Sequence, residues 1–251
     1  MIYIKTKDEI SRIRESGIIV ADFLKRARSL IRPGITTKDL DELAWDVVKE
    51  YKAKPSFYGY KGYPSAVCVS INEEVIHSIP SNRVIKEGDI VSVDFGALLN
   101  GFHADAAFSV IVGGGNNEDS SVKQKLIEVG QNALKKAIEV LKPGAYLCDL
   151  SYEIQTLAES YGFSVVKEYS GHGIGRELHE DPPVPNFGKR KTGPILREGM
   201  VICIEPMICL GGGEVSLLSD GWTVVTKDGK LSSHFEHTIA ITDAGPEILT
   251  L

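Results

Sequence analysis

Four carboxylates and one imidazole stand where a soluble chain would not place them idly. Asp94, Asp105, Glu205 and Glu236 lie in or at the end of apolar, strand-like runs, and His172 sits between glycines in Gly171-His172-Gly173. An ionised carboxylate carried into an apolar interior is very costly unless it is paired or bound to a cation. Asp94 and Glu205 are also matched by an internal repeat. The segment Glu87-Gly88-Asp89 through Asp94 recurs 111 residues later as Glu198-Gly199-Met200 through Glu205. Upstream, Arg32-Pro33-Gly34 and Asp39-Leu40 recur as Lys142-Pro143-Gly144 and Asp149-Leu150. Two related halves, each bringing an acid inward, imply one shared site between them.

Asn100-Gly101 is a type I′ hairpin signal between two strand-like runs. A two-residue loop there pairs Leu99 with Phe102, sets Asp105 opposite Gly96 and sets Asp94 opposite Ala107. Asp94 and Asp105 then share a face as diagonal neighbours, roughly 7–8 Å apart at the backbone. Gly96 and Ala107 are expected to leave space beside them. Two such carboxylates repel, and a bound cation inverts that balance. Adding Glu205, Glu236 and His172 gives a donor set too rich in oxygen for structural zinc. It suits two hard or borderline divalent ions such as Mn²⁺, Fe²⁺ or Co²⁺. Bridging carboxylates commonly hold such ions roughly 3.5–4 Å apart with an activated water between them.

The elements that must position these residues follow from periodicity. Thr6-x-x-Glu9 is a capping box opening a helix to about Leu30, stopped by Arg32-Pro33-Gly34. A second helix is expected from about Thr37 to Tyr51, then an aromatic loop over 55–64, a strand over 67–71 and the Asn100-Gly101 hairpin. The second half repeats the order, with helices over about 121–141 and 149–161 and strands over 164–169, 201–205, 222–226 and 234–242. Gly113-Gly114-Gly115 and Gly211-Gly212-Gly213 are turns; neither precedes Lys-Ser or Lys-Thr, so neither is a phosphate loop. Helices followed by strands, twice over, predict an α+β fold with antiparallel sheets and outer helices. We expect one domain over 1–251, in halves of roughly 1–113 and 114–251.

Composition limits the alternatives. The chain has 251 residues, 43% hydrophobic and 25% charged, with a net charge of −6. That balance does not suit a nucleic-acid binder. Lys189-Arg190-Lys191, beside glycines, reads as a solvated loop. No segment is long enough to span a membrane, and the N-terminus lacks a signal-peptide layout. The four cysteines, Cys68, Cys148, Cys203 and Cys209, form no Cys-x-x-Cys pair, so reduced thiols and a cytoplasmic location are expected. Taken singly, His77, His179, His234 and His237 are weak signals, and His103 is read as a hairpin surface residue. Asp94-Phe95-Gly96 matches a kinase tripeptide by accident, with none of its partner motifs.

The ordered set Asp94, Asp105, His172, Glu205 and Glu236 resembles that of the pita-bread metallopeptidases. The flanking text is similar to the type I methionine aminopeptidases: Gly62-Tyr63-Pro64, Ser70-Ile71-Asn72-Glu73, His77-Ser78-Ile79-Pro80, Gly171-His172-Gly173-Ile174-Gly175-Arg176, Ile204-Glu205-Pro206-Met207 and Phe235-Glu236-His237-Thr238. The resemblance runs nearly end to end and points to the compact bacterial form. It lacks the extra N-terminal domain of proline-directed relatives, the long insertion of type II enzymes and the N-terminal zinc-binding extension. It implies removal of the N-terminal methionine from nascent chains and peptides whose second residue is small. By it, Asp94 chelates one metal, Asp105 and Glu236 bridge both, and His172 and Glu205 complete the other. Glu205 is also the general base. His179 stabilises the oxyanion, a role often worth ~2.7–4 kcal/mol, and His77 contacts the peptide nitrogen. Phe57, Tyr60, Tyr63, Cys68, Leu178 and Trp222, with His77 and His179, are the implied substrate-binding residues; thioethers pack well on aromatic edges. The implied cofactors are two divalent ions among cobalt, manganese and iron, with zinc and nickel as further candidates. The implied partner is a peptide or nascent-chain N-terminus, with the ribosome a candidate docking site and a monomeric state expected; neither DNA nor a membrane is expected. The chain departs from the usual family text at Phe57, Lys61, Ser78, Ala104 and Leu178, none of them a metal ligand. The alternatives are a proline-directed peptidase of the same superfamily and a non-catalytic binding protein on this fold.

Overall fold

A computed structural model describes the backbone of residues 1–114 and 118–251, with side chains described outside 115–120. Gly115, in the first glycine run, therefore lies outside the described residues. Helices α1 (Lys7–Leu30), α2 (Thr37–Glu50), α3 (Glu118–Glu139) and α4 (Leu147–Ser160) cover the outside of the sheets. The Thr6 capping box closes in both directions, and Thr36 with Asp39 makes a second one at the head of α2. Helix α1 turns Ile13, Ile19, Val20 and Phe23 inward, and Phe23 packs 4.2 Å from Phe95 of the sheet.

The nine-stranded antiparallel sheet runs Lys54–Pro55, Ile90–Leu99, Phe102–Ile111, Glu236–Thr242, Val201–Ile204, Ser170–Gly173, Glu180–Pro185. Cys68–Ile71 pairs with Ile90–Leu99, and Gly245–Ile248 with Glu236–Thr242. The expected hairpin register is present in full, from Leu99 opposite Phe102 to Ile90 opposite Ile111. Asn100 and Gly101 both have positive φ, 52° and 81°, as a type I′ turn requires.

The repeat in the text is a repeat in the backbone. Gly34 N–H donates to Ile85 O, and Gly144 N–H to Leu196 O. Thr36 bridges Val84, and Tyr146 bridges Ile195. Each helix pair is thus tied to the loop entering its strand in the same way.

Three strand expectations need correction. The strand expected over 164–169 is only Ser164–Val165. That over 222–226 begins at Val224, because the Asp220 carboxylate accepts from the N–H groups of Trp222 and Thr223 and holds a turn. That over 234–242 is two strands, Ser232–His234 and Glu236–Thr242, parted at Phe235. The cause is Pro206, which cannot donate to a ladder: its side of the pair breaks into Val201–Ile204 and Met207–Cys209, and both chains change sheets at one corner. The strand Glu180–Pro185 has no clear sequence signal because it contains three prolines; it lies at the sheet edge, where proline is tolerated.

Candidate metal and peptide site

The site is a row written across the sheet. Cys68 faces Asp94, Asp94 faces Ala107, and Ala107 faces Glu236. Ile204 faces His237, so Glu205, the next residue, comes alongside Glu236. Asp105, two residues from Ala107, points to the same side. Thr238 locks the junction of the halves: its hydroxyl accepts from the Asp105 N–H at 3.0 Å and donates to the Asp105 carbonyl at 2.8 Å.

His172 arrives from the next strand at an irregular register, between Gly171 opposite Val184 and Gly173 opposite Glu180. Such irregularities re-aim a side chain. Both glycines are required by contact. A Cβ on Gly171 would meet the Cys203 carbonyl oxygen at 2.3 Å, and one on Gly173 the Asp181 carbonyl oxygen at 2.2 Å. The His172 Nδ1 lies 2.9 Å from the Gly173 carbonyl, leaving Nε2 to face Glu205 Oε1 at 3.7 Å.

All thirteen candidate residues line one cavity of about 230 Å³, and Lys61 joins them. The expected space beside Gly96 is filled: a Cβ there would meet Ser56 Cβ at 2.9 Å and Phe57 Cε1 at 3.0 Å. Gly96 thus lets the aromatic loop close down and seats Phe57 in the wall. Tyr63 stands edge-on to Trp222 at 5.1 Å and to Phe57 at 6.5 Å, its hydroxyl donating to the Val67 and Ser78 carbonyls. Tyr60 stacks on His179 at 5.0 Å, and His179 lies 4.1 Å from His172. His77 has φ of 60°, an uncommon conformation that clusters at functional sites, and meets Tyr169 edge-on at 5.8 Å. Ser78, where the family text differs, buries its hydroxyl 3.1 Å from that of Ser70, so the departure is accommodated.

The electrostatics are those of an ion site. Burial, then the charges of Asp105 and Glu205, push the Asp94 carboxyl far up. Burial raises Asp105 to about 7 and lifts Glu205 and Glu236 well above the usual range. Asp94 Oδ1, Asp105 Oδ1 and Glu236 Oε1 are buried without a hydrogen-bond partner. Orphaned carboxylate oxygens converging on a common space are the donor set a divalent cation satisfies. Ligand atoms of Asp105, His172, Cys203 and Glu236 lie within 4.8 Å of one another. Burial lowers His172 to about 4 and His77 to about 4, and partial desolvation together with the neighbouring His172 and Lys61 lowers the more exposed His179 to about 3, so these imidazoles are neutral at pH 7 and available as ligands or N–H donors.

These observations decide the class. The text of residues 11–243 matches the model of metallopeptidase family M24. The chain belongs to metallopeptidase family M24. A methionine aminopeptidase from Clostridium acetobutylicum is 51% identical over 252 residues, covering 100% of this chain and 99% of its own. The crystal structure of methionine aminopeptidase from Thermotoga maritima superposes with a TM-score of 0.96 at 49% identity, covering 100% and 99% of the two chains. Prolidase from Pyrococcus furiosus shares the fold at a TM-score of 0.79 and 26% identity, but this chain spans only 65% of it. The α+β pita-bread architecture expected from the sequence is thus the fold of this M24 chain.

Three residues stand differently from expectation. Cys203 lies within the cluster of possible ligand atoms; burial keeps it a thiol, 3.4 Å from the Thr238 hydroxyl, and it supports Glu236 as a hydrogen-bond partner. Its signal was the two-residue spacing from Glu205. His234 is buried, with Nε2 3.7 Å from Glu205 Oε2; no spacing rule links it to Glu205, because the two meet only through the corner at Pro206. His103 is not a free surface residue: it is half-buried, its Nδ1 2.9 Å from the Ser56 hydroxyl.

Proposed function

We propose that this M24 chain is a methionine aminopeptidase that releases the N-terminal methionine from nascent proteins and peptides whose second residue is small. The supporting observation is the single cavity in which orphaned carboxylates meet an aromatic and thioether-compatible wall. Asp94, Asp105, His172, Glu205 and Glu236 would hold two divalent ions, drawn from manganese, iron, cobalt, zinc and nickel; such ions supply charge neutralisation, Lewis acidity and a lowered pKa for water.

The chain's own residues do the rest. Glu205 takes the proton of the attacking water and returns it to the departing amine. Neutral His179 donates an N–H to the scissile carbonyl oxygen, where negative charge develops. The neutral His77 imidazole accepts from the N–H of the peptide nitrogen at the cut and helps it leave as the new amine. Phe57, Tyr60, Tyr63, Cys68, Leu178 and Trp222 hold the methionine side chain and exclude water.

We read residues 1–251 as one catalytic unit of two halves, roughly 1–113 and 114–251, acting as a monomer on peptide N-termini, in the cytoplasm, with the ribosome a candidate docking partner. Among the described residues, no helix is long and apolar enough to cross a membrane. The proline-directed alternative is tested directly: Met-Ala-Ser should be cleaved and Ala-Pro-type peptides should not. The reverse preference would replace this reading with a prolidase-like one, and binding without cleavage would favour a non-catalytic role.

A further inference from the structure

The turn that delivers Leu178 and His179 to the cavity is held from beneath by a buried ion pair outside the reaction site. Lys5 Nζ lies 2.6 Å from Glu180 Oε2, and both side chains are only 5% exposed. The other carboxylate oxygen, Oε1, accepts from the backbone N–H groups of Arg176 at 2.9 Å and Glu177 at 3.3 Å. Glu180 therefore spans the turn from 176 to 180 while its partner is anchored elsewhere: the Lys5 N–H donates to the Gly199 carbonyl at 2.7 Å. Gly175 has no Cβ because one would meet Lys5 Cε at 2.7 Å and Glu180 Oε1 at 2.8 Å. Around this centre, Arg176 pairs with Glu9 at 3.0 Å and lies over Phe102, and the His103 N–H donates to the Gly175 carbonyl at 2.8 Å.

A buried ion pair is a poor way to gain stability, since an apolar pair of similar volume often serves as well or better. What an apolar pair cannot do is accept two backbone N–H groups and so dictate the path of the turn. We propose that Lys5 and Glu180 are positioning residues that fix the His179 imidazole against Tyr60 and His172, where it reaches the scissile carbonyl. This inference rests on the proposed role of His179. The ammonium holds the carboxylate, the carboxylate holds the turn, and the turn holds the ring.

The test compares three variants with the wild-type protein loaded with Mn²⁺. Lys5→Met/Glu180→Leu keeps the volume and removes the acceptors. Lys5→Met/Glu180→Gln removes both charges and keeps an acceptor oxygen. His179→Ala sets the floor. Turnover of Met-Ala-Ser, Mn²⁺ affinity by calorimetry, thermal unfolding and binding of a methionine-derived phosphonate, a tetrahedral mimic, are measured for each. The Leu variant is expected to keep its Mn²⁺ affinity, with KM within about twofold, while kcat and phosphonate affinity fall at least tenfold toward the His179→Ala level; the Gln variant is expected to recover most of both. Such a split separates positioning of a group used in the transition state from loss of ground-state binding. A folded Leu variant with kcat within twofold of wild type overturns the inference. Should it fail to fold, Lys5→Met alone is read in the same way, and unchanged kcat there overturns it. A wild-type protein that cleaves no Met-Ala-Ser would instead reject the aminopeptidase reading itself.

Discussion

Asp94 and Glu236 flank Ala107 in a single row of the sheet, each directly opposite it on a neighbouring strand. One residue comes from each half of the repeat, and a small side chain separates them. The methyl group of Ala107 leaves both carboxylates free to lean together over it, with Asp105 beside them. A larger residue at 107 would fill the space over which the carboxylates lean. The shared site between two halves is thus a property of strand pairing.

Replacing the base should separate binding from chemistry. Glu205→Gln keeps the shape of the side chain but cannot take a proton. Turnover of Met-Ala-Ser should fall at least about 10²-fold, in the range general-base removal gives, while calorimetry still shows divalent-ion binding. Substantial retained turnover would remove Glu205 from that role.

His179→Ala should lower kcat by about 10²–10³-fold, the usual cost of losing one oxyanion donor. KM should change little, because the interaction strengthens only as charge develops. A large rise in KM at constant kcat would make His179 a ground-state binder instead.

The ion-free protein should show the cost of burying a carboxylate in the row. Asp105 has its pKa raised to about 7 in the folded chain from an ordinary 3.8. A raised folded pKa stabilises below the unfolded value, and that contribution is lost as pH rises through the folded one. Between about pH 4 and 7 the metal-free wild type should therefore lose stability relative to Asp105→Asn, which has no charge to develop there. The buried histidines, shifted the opposite way, are common to both proteins and cancel in the comparison. Saturating Mn²⁺ should reverse the order, since a ligand at 100 times its Kd adds about 2.7 kcal/mol. Melting curves of the two proteins with chelator and with Mn²⁺ check both signs.

Gly171→Ala should act through His172. The added methyl meets a backbone carbonyl that has no flexible end to move. Urea unfolding should show a loss of about 1–3 kcal/mol, and the Mn²⁺ affinity of the folded protein should drop as the imidazole is displaced. Unchanged Mn²⁺ affinity would mean that the strand absorbs the methyl without moving the ring.

The hairpin was legible in full, because Asn100-Gly101 has one favoured geometry and the side-chain period of two then places Asp94 and Asp105 on one face. The first two helices were legible from one capping box and one apolar stripe, and the other two from the internal repeat. The edge strand Glu180–Pro185 was not, since its prolines argue against pairing until its edge position is known. The break at Phe235 was hidden for a related reason: the missing donor at Pro206 acts on its partner strand, 29 residues away in the chain. His234 and the Lys5–Glu180 pair were invisible because only tertiary packing joins them to the site. The aromatic wall was legible through family resemblance alone; periodicity could not tell Trp222 or Tyr63 from ordinary core.

The central claim is most directly tested by adding Mn²⁺, Fe²⁺ or Co²⁺ to metal-free protein and measuring methionine released from Met-Ala-Ser, with Met-Lys-Ser alongside. The structure predicts metal-dependent release from the first peptide and essentially none from the second. Metal binding with no release from either peptide, or equal release from both, would contradict it.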